Sequence, residues 1–333
     1  MKTNNPETLL CSSPHRHDIY KAICTVLNNS LTPPTSSEPV IVAKIVHELP
    51  LALNSLRLPI KTASMYVHQR PYVTYNEIEK QDPTNPKKKV EIGDLLLIRT
   101  LKKSNGSIIR SALLLQAKKS VDEHSALKVG SSNNTQHNLY AYWPEFIYVS
   151  NPLQGIKRKI VGPHLANGSK YLIFTTKCIP HHYHHYFYDD LHFCCDYPEC
   201  CLSAIAIPDG LTRLQYFATE LFDFITGNAG REFVLHPGKG NVGWDQVITD
   251  LIETTKNWKS TATMKSAGMT SSTRLSGALF FTSGEFDSSG SLHMSNTGTD
   301  SNGGNDPIFD SLQDTPDEGG IPIIEFVIDE VKD

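Results

Sequence analysis

Two apolar runs and the turn between them decide the fold: Asp94–Thr100 (DLLLIRT), Ser104–Ser107 (SNGS) and Ile108–Lys118 (IIRSALLLQAK). An Asn-Gly pair between two strand-like runs is among the strongest short-range signals for a β-hairpin. A turn centred on Asn105-Gly106 pairs residues whose numbers sum to about 211, so Asp94 faces the stretch Gln116–Lys118. The sequence therefore predicts a hairpin that ends in an acid on one strand and a polar stretch on the other.

The polar end of this hairpin suggests a chemistry. Gln116 and Lys118 are two residues apart on a strand, so both side chains leave the same face. A carboxylate and an amide oxygen are hard ligands that suit Mg²⁺, and Mg²⁺ lowers the pKa of a bound water and offsets charge on a phosphate. Lys118 would orient that water. A second acid would strengthen the metal site, and the candidates are Glu91, close in sequence, and Glu48, on the preceding predicted helix.

These residues resemble a known family. Asp94, followed 22 residues later by Gln116-Ala117-Lys118, is similar to the D-x(n)-(D/E/Q)-x-K signature of the PD-(D/E)xK nuclease superfamily, in its Q-x-K variant. Downstream, Gln136-His137-Asn138-Leu139-Tyr140 resembles the Q-x-x-x-Y motif of RecB-like members. The predicted order of helix, strand, strand, strand and helix also fits. The resemblance covers about residues 40–176 and implies an α/β fold (an α+β mixed sheet) with a restriction endonuclease-like core.

The resemblance also implies a function: hydrolysis of DNA phosphodiester bonds with Mg²⁺ or Mn²⁺, in a bacterial defence (antiphage) or mobile-element setting. Partner proteins of a defence operon and a homodimer would be expected in that setting. The metal ligands would be Asp94, Gln116 and the Ala117 carbonyl, with Lys118 at the water. Substrate contacts or support of the site would come from Gln136, Tyr140, Lys87, Lys88, Lys89 and Lys119.

The charge distribution is compatible with DNA binding. The net charge of the chain is -4, but residues 283–333 contain 12 acidic residues and one basic residue, so the rest of the chain carries +7. Ten cations lie between Lys87 and Lys128, around the predicted site, and cations of this kind bind phosphates. The alternative is that exposed lysines of the hairpin only prevent edge-to-edge aggregation. We expect the acidic segment from Glu285 to Asp333 to compete with phosphate for the basic face.

Along the chain, composition divides the sequence into four parts. Residues 1–38 predict a polar N-terminal helix and linker, and residues 39–176 the nuclease-like core. Residues 177–258 predict a His/Cys-rich loop, a strand and two helices that could complete the same domain. Residues 259–333 predict a low-complexity acidic tail with short strands. No apolar run is long enough for a membrane helix. The chain has seven cysteines, an odd number, and we see no secretory signal, so a cytoplasmic protein is expected.

The segment 178–201 is dense in histidine and cysteine, the usual ligands of Zn²⁺. The spacing does not form C-x-x-C pairs, and the alternative is a His-rich loop followed by a buried strand with cysteines as small apolar residues. A structural zinc site is a minor hypothesis, with the ligands drawn from Cys178, Cys194, Cys195, Cys200 and Cys201.

Two other hypotheses complete the set. The segment 238–243 (GKGNVG) matches G-x-G-x-x-G, but no convincing strand precedes it, so we discount a phosphate loop there. A non-catalytic nucleic-acid- or protein-binding module that keeps the nuclease scaffold is the alternative to the enzyme.

Overall fold

A ten-stranded mixed sheet connects the segments of the chain. The computed structural model describes residues 10–32, 36–67, 71–75, 89–120, 134–161, 165–175, 201–238, 243–263, 273–275, 278–282, 284–286, 292–294 and 320–330. The helices are α1 (Ser13–Ser30), α2 (Glu38–Ser55), α3 (Asn134–Tyr142), α4 (Leu165–Gly168), α5 (Phe217–Thr226) and α6 (Trp244–Thr263). The strands are β1 (Ile60–Val67), β2 (Tyr72–Tyr75), β3 (Val90–Glu91), β4 (Leu95–Lys102), β5 (Ile108–Ser120), β6 (Phe146–Tyr148), β7 (Lys157–Arg158), β8 (Ser169–Thr175), β9 (Cys201–Ile207), β10 (Gly210–Tyr216), β11 (Arg231–Glu232), β12 (Thr273–Leu275), β13 (Ala278–Thr282), β14 (Gly284–Phe286), β15 (Leu292–Met294) and β16 (Ile323–Asp329).

The sheet contains both parallel and antiparallel pairs. Its strand order is β10-β9-β8-β5-β4-β16-β1-β13-β12, and β11 pairs with β5. β4 and β5 are antiparallel, whereas β8 is parallel to β5 and β16 is parallel to β4. The crossover between the parallel strands β5 and β8 contains α3, as parallel neighbours require a long connection. The predicted fold class is confirmed at the level of a mixed α/β chain.

The central hairpin forms as the sequence predicts. Leu95 pairs with Leu115 and Lys102 with Ile108, so the paired numbers sum to 210, one less than expected. The Gly106 N–H donates to the Lys103 carbonyl at 2.9 Å, and Gly106 has a φ of 85°. This geometry is a three-residue loop with glycine in the left-handed position, rather than the two-residue loop that Asn-Gly often forms. The register places Asp94 opposite Gln116.

Both faces of the sheet are covered. Helices α1, α2 and α5 bury one face with odd-numbered residues of β5, such as Leu113 and Leu115. The other face, which carries the even-numbered Leu114, packs against α3, α6 and a second, four-stranded sheet of β3, β2, β6 and β7. Because both faces are buried, the strands are nearly continuous apolar runs instead of alternating patterns.

Helix α2 continues through Pro50, although a proline in the interior of a helical pattern predicts an interruption. Proline has no N–H, so the carbonyl of Val46, four residues earlier, loses its helical donor. The hydroxyl of Ser64 on β1 replaces that donor, since Ser64 Oγ donates to the Val46 carbonyl at 2.6 Å. A side chain from the neighbouring strand thus satisfies the carbonyl and permits the unbroken helix.

The C-terminal strand occupies a position that the predicted acidic tail did not anticipate. β16 lies between β4 and β1, in register from Ile323 opposite Leu96 to Asp329 opposite Lys102. On its other side it pairs with β1 over six residues. Its apolar side chains, among them Phe326, are buried in the core. At least this part of the segment 259–333 belongs to the centre of the sheet, so it cannot act as a detachable competitor for DNA.

Two helices are shorter than their sequence patterns predict. The pattern of residues 135–146 predicts one helix, but α3 ends at Tyr142 and Phe146 begins β6. The apolar spacing that begins at Leu214 predicts a helix from that residue, but α5 begins at Phe217 because residues 210–216 form β10. None of the helices in the described ranges is long and apolar enough to cross a membrane.

Candidate active site at the open end of the hairpin

The hairpin holds Asp94 against the end of β5. The backbone N–H of Asp94 donates to the Leu115 carbonyl at 2.8 Å, which extends the strand pairing by one residue. The Ala117 N–H donates to Asp94 Oδ2 at 2.8 Å, and Nε2 of Gln116 donates to the same oxygen. Asp94 is 7% exposed and Gln116 is fully buried. The expected convergence of Asp94 with Gln116 and Ala117 is therefore present in the structure.

The buried amide of Gln116 has one unsatisfied atom. Its Nε2 is used by Asp94, whereas no hydrogen-bond donor from the part of the chain that the structure describes reaches its Oε1. A buried acceptor without a partner costs about 1–3 kcal/mol. An amide oxygen beside a carboxylate is a donor set that suits a hard cation. The described residues contain no cluster of three or more His, Cys, Asp or Glu that could hold a metal, so a cation here would depend on Asp94 and on neutral oxygens.

Helix α3 braces the segment that leads into Asp94. Gln136 Nε2 donates to the carbonyl of Glu91 at 3.4 Å, and the Tyr140 hydroxyl donates to the carbonyl of Ile92 at 2.9 Å. Both side chains are 3% exposed. Between this segment and Asp94, a Cβ on Gly93 would lie 2.7 Å from Leu114 Cδ1 and 3.1 Å from the Tyr140 hydroxyl, so only glycine fits. The Q-x-x-x-Y residues hold the backbone of the site in place.

The environment of Asp94 keeps the nearby tyrosines neutral. Burial raises the pKa of Tyr140 well above its usual value, and the charge of Asp94 raises it further. The pKa of Tyr171, whose strand position is opposite Gln116, is also raised, first by burial and then by Tyr75 and Asp94. Tyr140 therefore remains a hydrogen-bond donor to the backbone over the physiological pH range.

Lys118 and Lys119 are held by an acid that sequence reasoning did not select. Glu38, at the start of α2, accepts the Lys119 N–H on Oε1 at 2.7 Å. Its Oε2 lies 3.6 Å from Nζ of Lys118, with the two side chains 30% and 23% exposed. Lys119 Nζ donates to the Ser36 carbonyl at 2.9 Å. The helix that precedes β1 thus contributes an acid to this end of the sheet, but the acid is Glu38.

The two acids that the sequence proposed differ in their distance from the site. Glu48 is ten residues after Glu38 on the same helix, which places it about 15 Å further along the axis. Glu91 is on β3, where its Oε1 accepts a 3.4 Å hydrogen bond from the Tyr72 hydroxyl. Glu91 is close enough to Tyr140 to contribute to the raised pKa of that residue, as Asp94 does. Of the two, Glu91 is thus the one that shares a neighbour with Asp94.

Several predicted residues fall outside the described part of the chain. These are Lys87, Lys88, Cys178, Cys194, Cys195 and Cys200. Of their neighbours, Lys89 is exposed and Cys201 is buried at the start of β9. The zinc hypothesis and most of the lysine-rich loop are therefore not tested by the structure.

The chain was compared with protein-family models, with curated proteins and with solved structures, and none of the three comparisons gives a match. Function has to be argued from the site itself.

Proposed function

We propose that the chain is a Mg²⁺-dependent nuclease that hydrolyses DNA phosphodiester bonds, with a core of the PD-(D/E)xK type. The observation that carries the proposal is the buried pair of Asp94 and Gln116, in which the amide nitrogen donates to the carboxylate and the amide oxygen finds no donor among the described residues. The order α2, β1, β4, β5, α3, β8 also supports it, because it follows the helix–strand–strand–strand–helix–strand order of that family. β16, inserted between β1 and β4, is a departure from that simple order.

The position of the site supports ligand binding. Lys118 lies near the carboxyl end of β5, and Asp94, just before β4, is opposite Gln116 on that same strand. In open α/β sheets, ligands bind outside the carboxyl ends of the strands. A substrate that approaches this edge would meet Lys118 and Lys119 before it meets Asp94, because the lysines are more exposed.

The proposed mechanism assigns a role to each residue. Asp94, Gln116 Oε1 and the Ala117 carbonyl would hold Mg²⁺, which when bound lowers the pKa of water and offsets charge on the phosphate. Lys118 would orient the attacking water and stabilise the developing negative charge. The partly exposed ion pair with Glu38 contributes only about 0–1 kcal/mol, so Lys118 can exchange Glu38 for a phosphate. Gln136 and Tyr140 would keep Asp94 in register with Gln116.

The experiment is Mg²⁺-dependent cleavage of duplex and single-stranded DNA by the wild type, Asp94→Asn and Lys118→Met. Asn keeps the shape of Asp94 and an oxygen for the Ala117 N–H, and Met keeps the length of Lys118. We expect each variant to lose roughly 100-fold or more in rate. Lys61→Ala is the matched control, since Lys61 is 74% exposed at the opposite end of the sheet and should leave cleavage unchanged. Equal rates in all four proteins would contradict the proposal.

A second candidate function, a non-catalytic nucleic-acid-binding module, is favoured by one observation. The charged groups of the site already have protein partners: Asp94 Oδ2 accepts two N–H donors and Lys118 pairs with Glu38. This candidate predicts salt-sensitive DNA binding without cleavage. In that case Lys118→Met would weaken binding and Asp94→Asn would not, whereas the nuclease predicts that both variants lose cleavage.

A further inference from the structure

Arg231 on β11 is a partly buried cation that pairs with no carboxylate of the described residues. Its Cζ lies 5.7 Å from the centroid of the Trp244 ring, and its Nη2 donates to the Val161 carbonyl at a long 3.4 Å. Its Nη1 is buried and has no hydrogen-bond partner, and no carboxylate forms an ion pair with it within the described ranges. Burial lowers the pKa of Arg231, and the charge of Asp245 opposes this shift. Guanidinium groups in such surroundings are normally paired.

The side chain of Trp244, which lies beside Arg231, also has an unpaired hydrogen-bond donor among the described residues. Trp244 is 3% exposed, and its buried indole Nε1 finds no acceptor in the part of the chain that the structure describes. Indole N–H groups usually find a hydrogen-bond partner when they are buried. Arg231 and Trp244 thus bring two unsatisfied donors, one of them charged, to one place on the molecule.

A helix terminus adds further donors. Trp244 is the first residue of the 20-residue helix α6, and the Val247 N–H donates to the Gly243 carbonyl at 3.2 Å. The backbone N–H groups of Trp244, Asp245 and Gln246 precede that bond, and the first N–H groups of a helix have no intrahelical acceptor. The partial positive charge of a helix N-terminus favours anions.

The packing that creates this arrangement requires a glycine. A Cβ on Gly168, at the end of α4, would lie 2.8 Å from Trp244 Cζ2 and 3.1 Å from Arg231 Cβ. The absence of a side chain at residue 168 lets β11, α4 and α6 approach one another. Two exposed lysines, Lys157 and Lys159, belong to the strand segment beside Gly243.

We propose that Arg231, Trp244 and the N-terminus of α6 bind a phosphate group. The guanidinium fork matches two phosphate oxygens, and the indole and backbone N–H groups supply donors to the others. The site does not depend on the proposed nuclease activity. β11 pairs with Ser111 and Ala112 of β5, four to five residues before Gln116, which places Arg231 roughly 15 Å from Asp94 along the strand.

The test is isothermal titration of the full chain with inorganic phosphate. Arg231→Gln removes the charge, and we expect it to weaken binding roughly tenfold or more; Trp244→Phe keeps the ring and loses one neutral donor, which should weaken binding about threefold. Asp245→Asn removes the acid nearest to Arg231 and should tighten binding. The matched control is Arg213→Gln, an exposed arginine on β10, which should bind phosphate as the wild type does.

Further arms identify the source of the phosphate. The second ligand is a decathymidylate. If it competes with phosphate and Arg231→Gln no longer binds it, the site binds the backbone of a nucleic acid. If the chain binds inorganic phosphate but not the decathymidylate, the site binds a free or terminal phosphate. Both results support the site. The proposal is overturned if the wild type does not bind phosphate, or if Arg231→Gln, Trp244→Phe and the wild type bind it equally. Because Asp94→Asn should retain phosphate binding, a failure of the nuclease proposal can be told apart from a failure of this one.

Discussion

Glu220 is a fully buried carboxylate whose charge is held by polar side chains from three strands. Lys170 Nζ lies 2.5 Å from each of its oxygens, and Gln215 Nε2 donates to Oε2. The Ser203 hydroxyl lies 3.4 Å from the same oxygen. A buried ion pair is tolerated when further hydrogen bonds satisfy it, and removing one partner is costly. This cluster fixes α5 on β8, β9 and β10, on the face opposite to the proposed active site.

Asp223, three residues further along α5, is affected by this cluster. Burial raises the pKa of Asp223 from 3.8 to about 6, and the charge of Glu220 adds to the shift. Between pH 3.8 and about 6, Asp223 therefore stays protonated in the folded protein, whereas it is ionised in the unfolded chain. The stabilisation from this proton is complete below pH 3.8 and is lost as the pH rises through 6.

We predict that Asp223→Asn flattens the pH dependence of the free energy of unfolding between pH 4 and 6 and raises stability at pH 7. Urea denaturation at a series of pH values measures this. Asp209→Asn, at an exposed acid in the β9–β10 turn, is the control and should keep the wild-type profile. If the free energy of unfolding of Asp223→Asn depends on pH as that of the wild type does, the prediction is contradicted.

At the residue scale, the sequence identifies the site only where its signals are local. Asp94 and Gln116 are 22 residues apart and joined by one turn, so their pairing follows from the Asn-Gly signal. Glu38 lies 81 residues before Lys119, and its approach depends on how α2 packs on the sheet. No local pattern distinguishes Glu38 from Glu48, so the sequence alone does not show which acid of this helix lies beside Lys118 and Lys119.

At the scale of elements, β16 shows the same limit more strongly. Its sequence, IIEFVID, predicts a strand, but its position between β4 and β1 depends on contacts more than 220 residues away in the chain. Glu325, in the middle of the strand, is buried and accepts a hydrogen bond from the Thr100 hydroxyl at 2.6 Å. The amino-acid composition of residues 259–333 counts Glu325 toward an acidic tail, because composition does not show which carboxylates are buried in the fold.

Deleting residues 321–333 should abolish cooperative folding. The deletion removes the hydrogen-bonded neighbour of both β4 and β1 and the buried side chains of Ile323, Ile324, Phe326, Val327 and Ile328. Each large buried side chain that is removed costs about 2–5 kcal/mol, and the total stability of a domain is about 5–15 kcal/mol.

Far-UV circular dichroism during thermal unfolding measures the effect of this deletion. The matched control deletes only residues 331–333, which follow the described strand, and should unfold as the full chain does. A folded 1–320 fragment with a wild-type transition would contradict the central role of β16.

At the scale of the whole molecule, the sheet determines cooperativity. The composition changes near residue 176, and the sequence left open whether residues 177–258 complete the same domain. β8 before that point and β9 after it are antiparallel neighbours, from Tyr171 opposite Ala204 to Phe174 opposite Cys201. The helices α2 and α5, from opposite sides of that division, contribute to one buried cluster. Segments joined in this way cannot unfold independently without exposing the shared core.

We therefore expect a single two-state transition in guanidinium chloride. Tryptophan fluorescence reports on the face that contains Trp143 and Trp244, and circular dichroism reports on the helices of both faces. The two signals should give the same midpoint. Separated midpoints would indicate that residues on either side of 176 form independent domains.

The place of β16 also has a consequence for synthesis of the protein on the ribosome. The edges of β1 and β4 that will receive β16 are made more than 220 residues before their partner, and both remain open while the rest of the chain is translated. Open strand edges pair readily with other chains. A nascent or prematurely terminated polypeptide would therefore present two unpaired strand edges and an incomplete support for Asp94, so the activity proposed for this site could begin only after translation has passed residue 329.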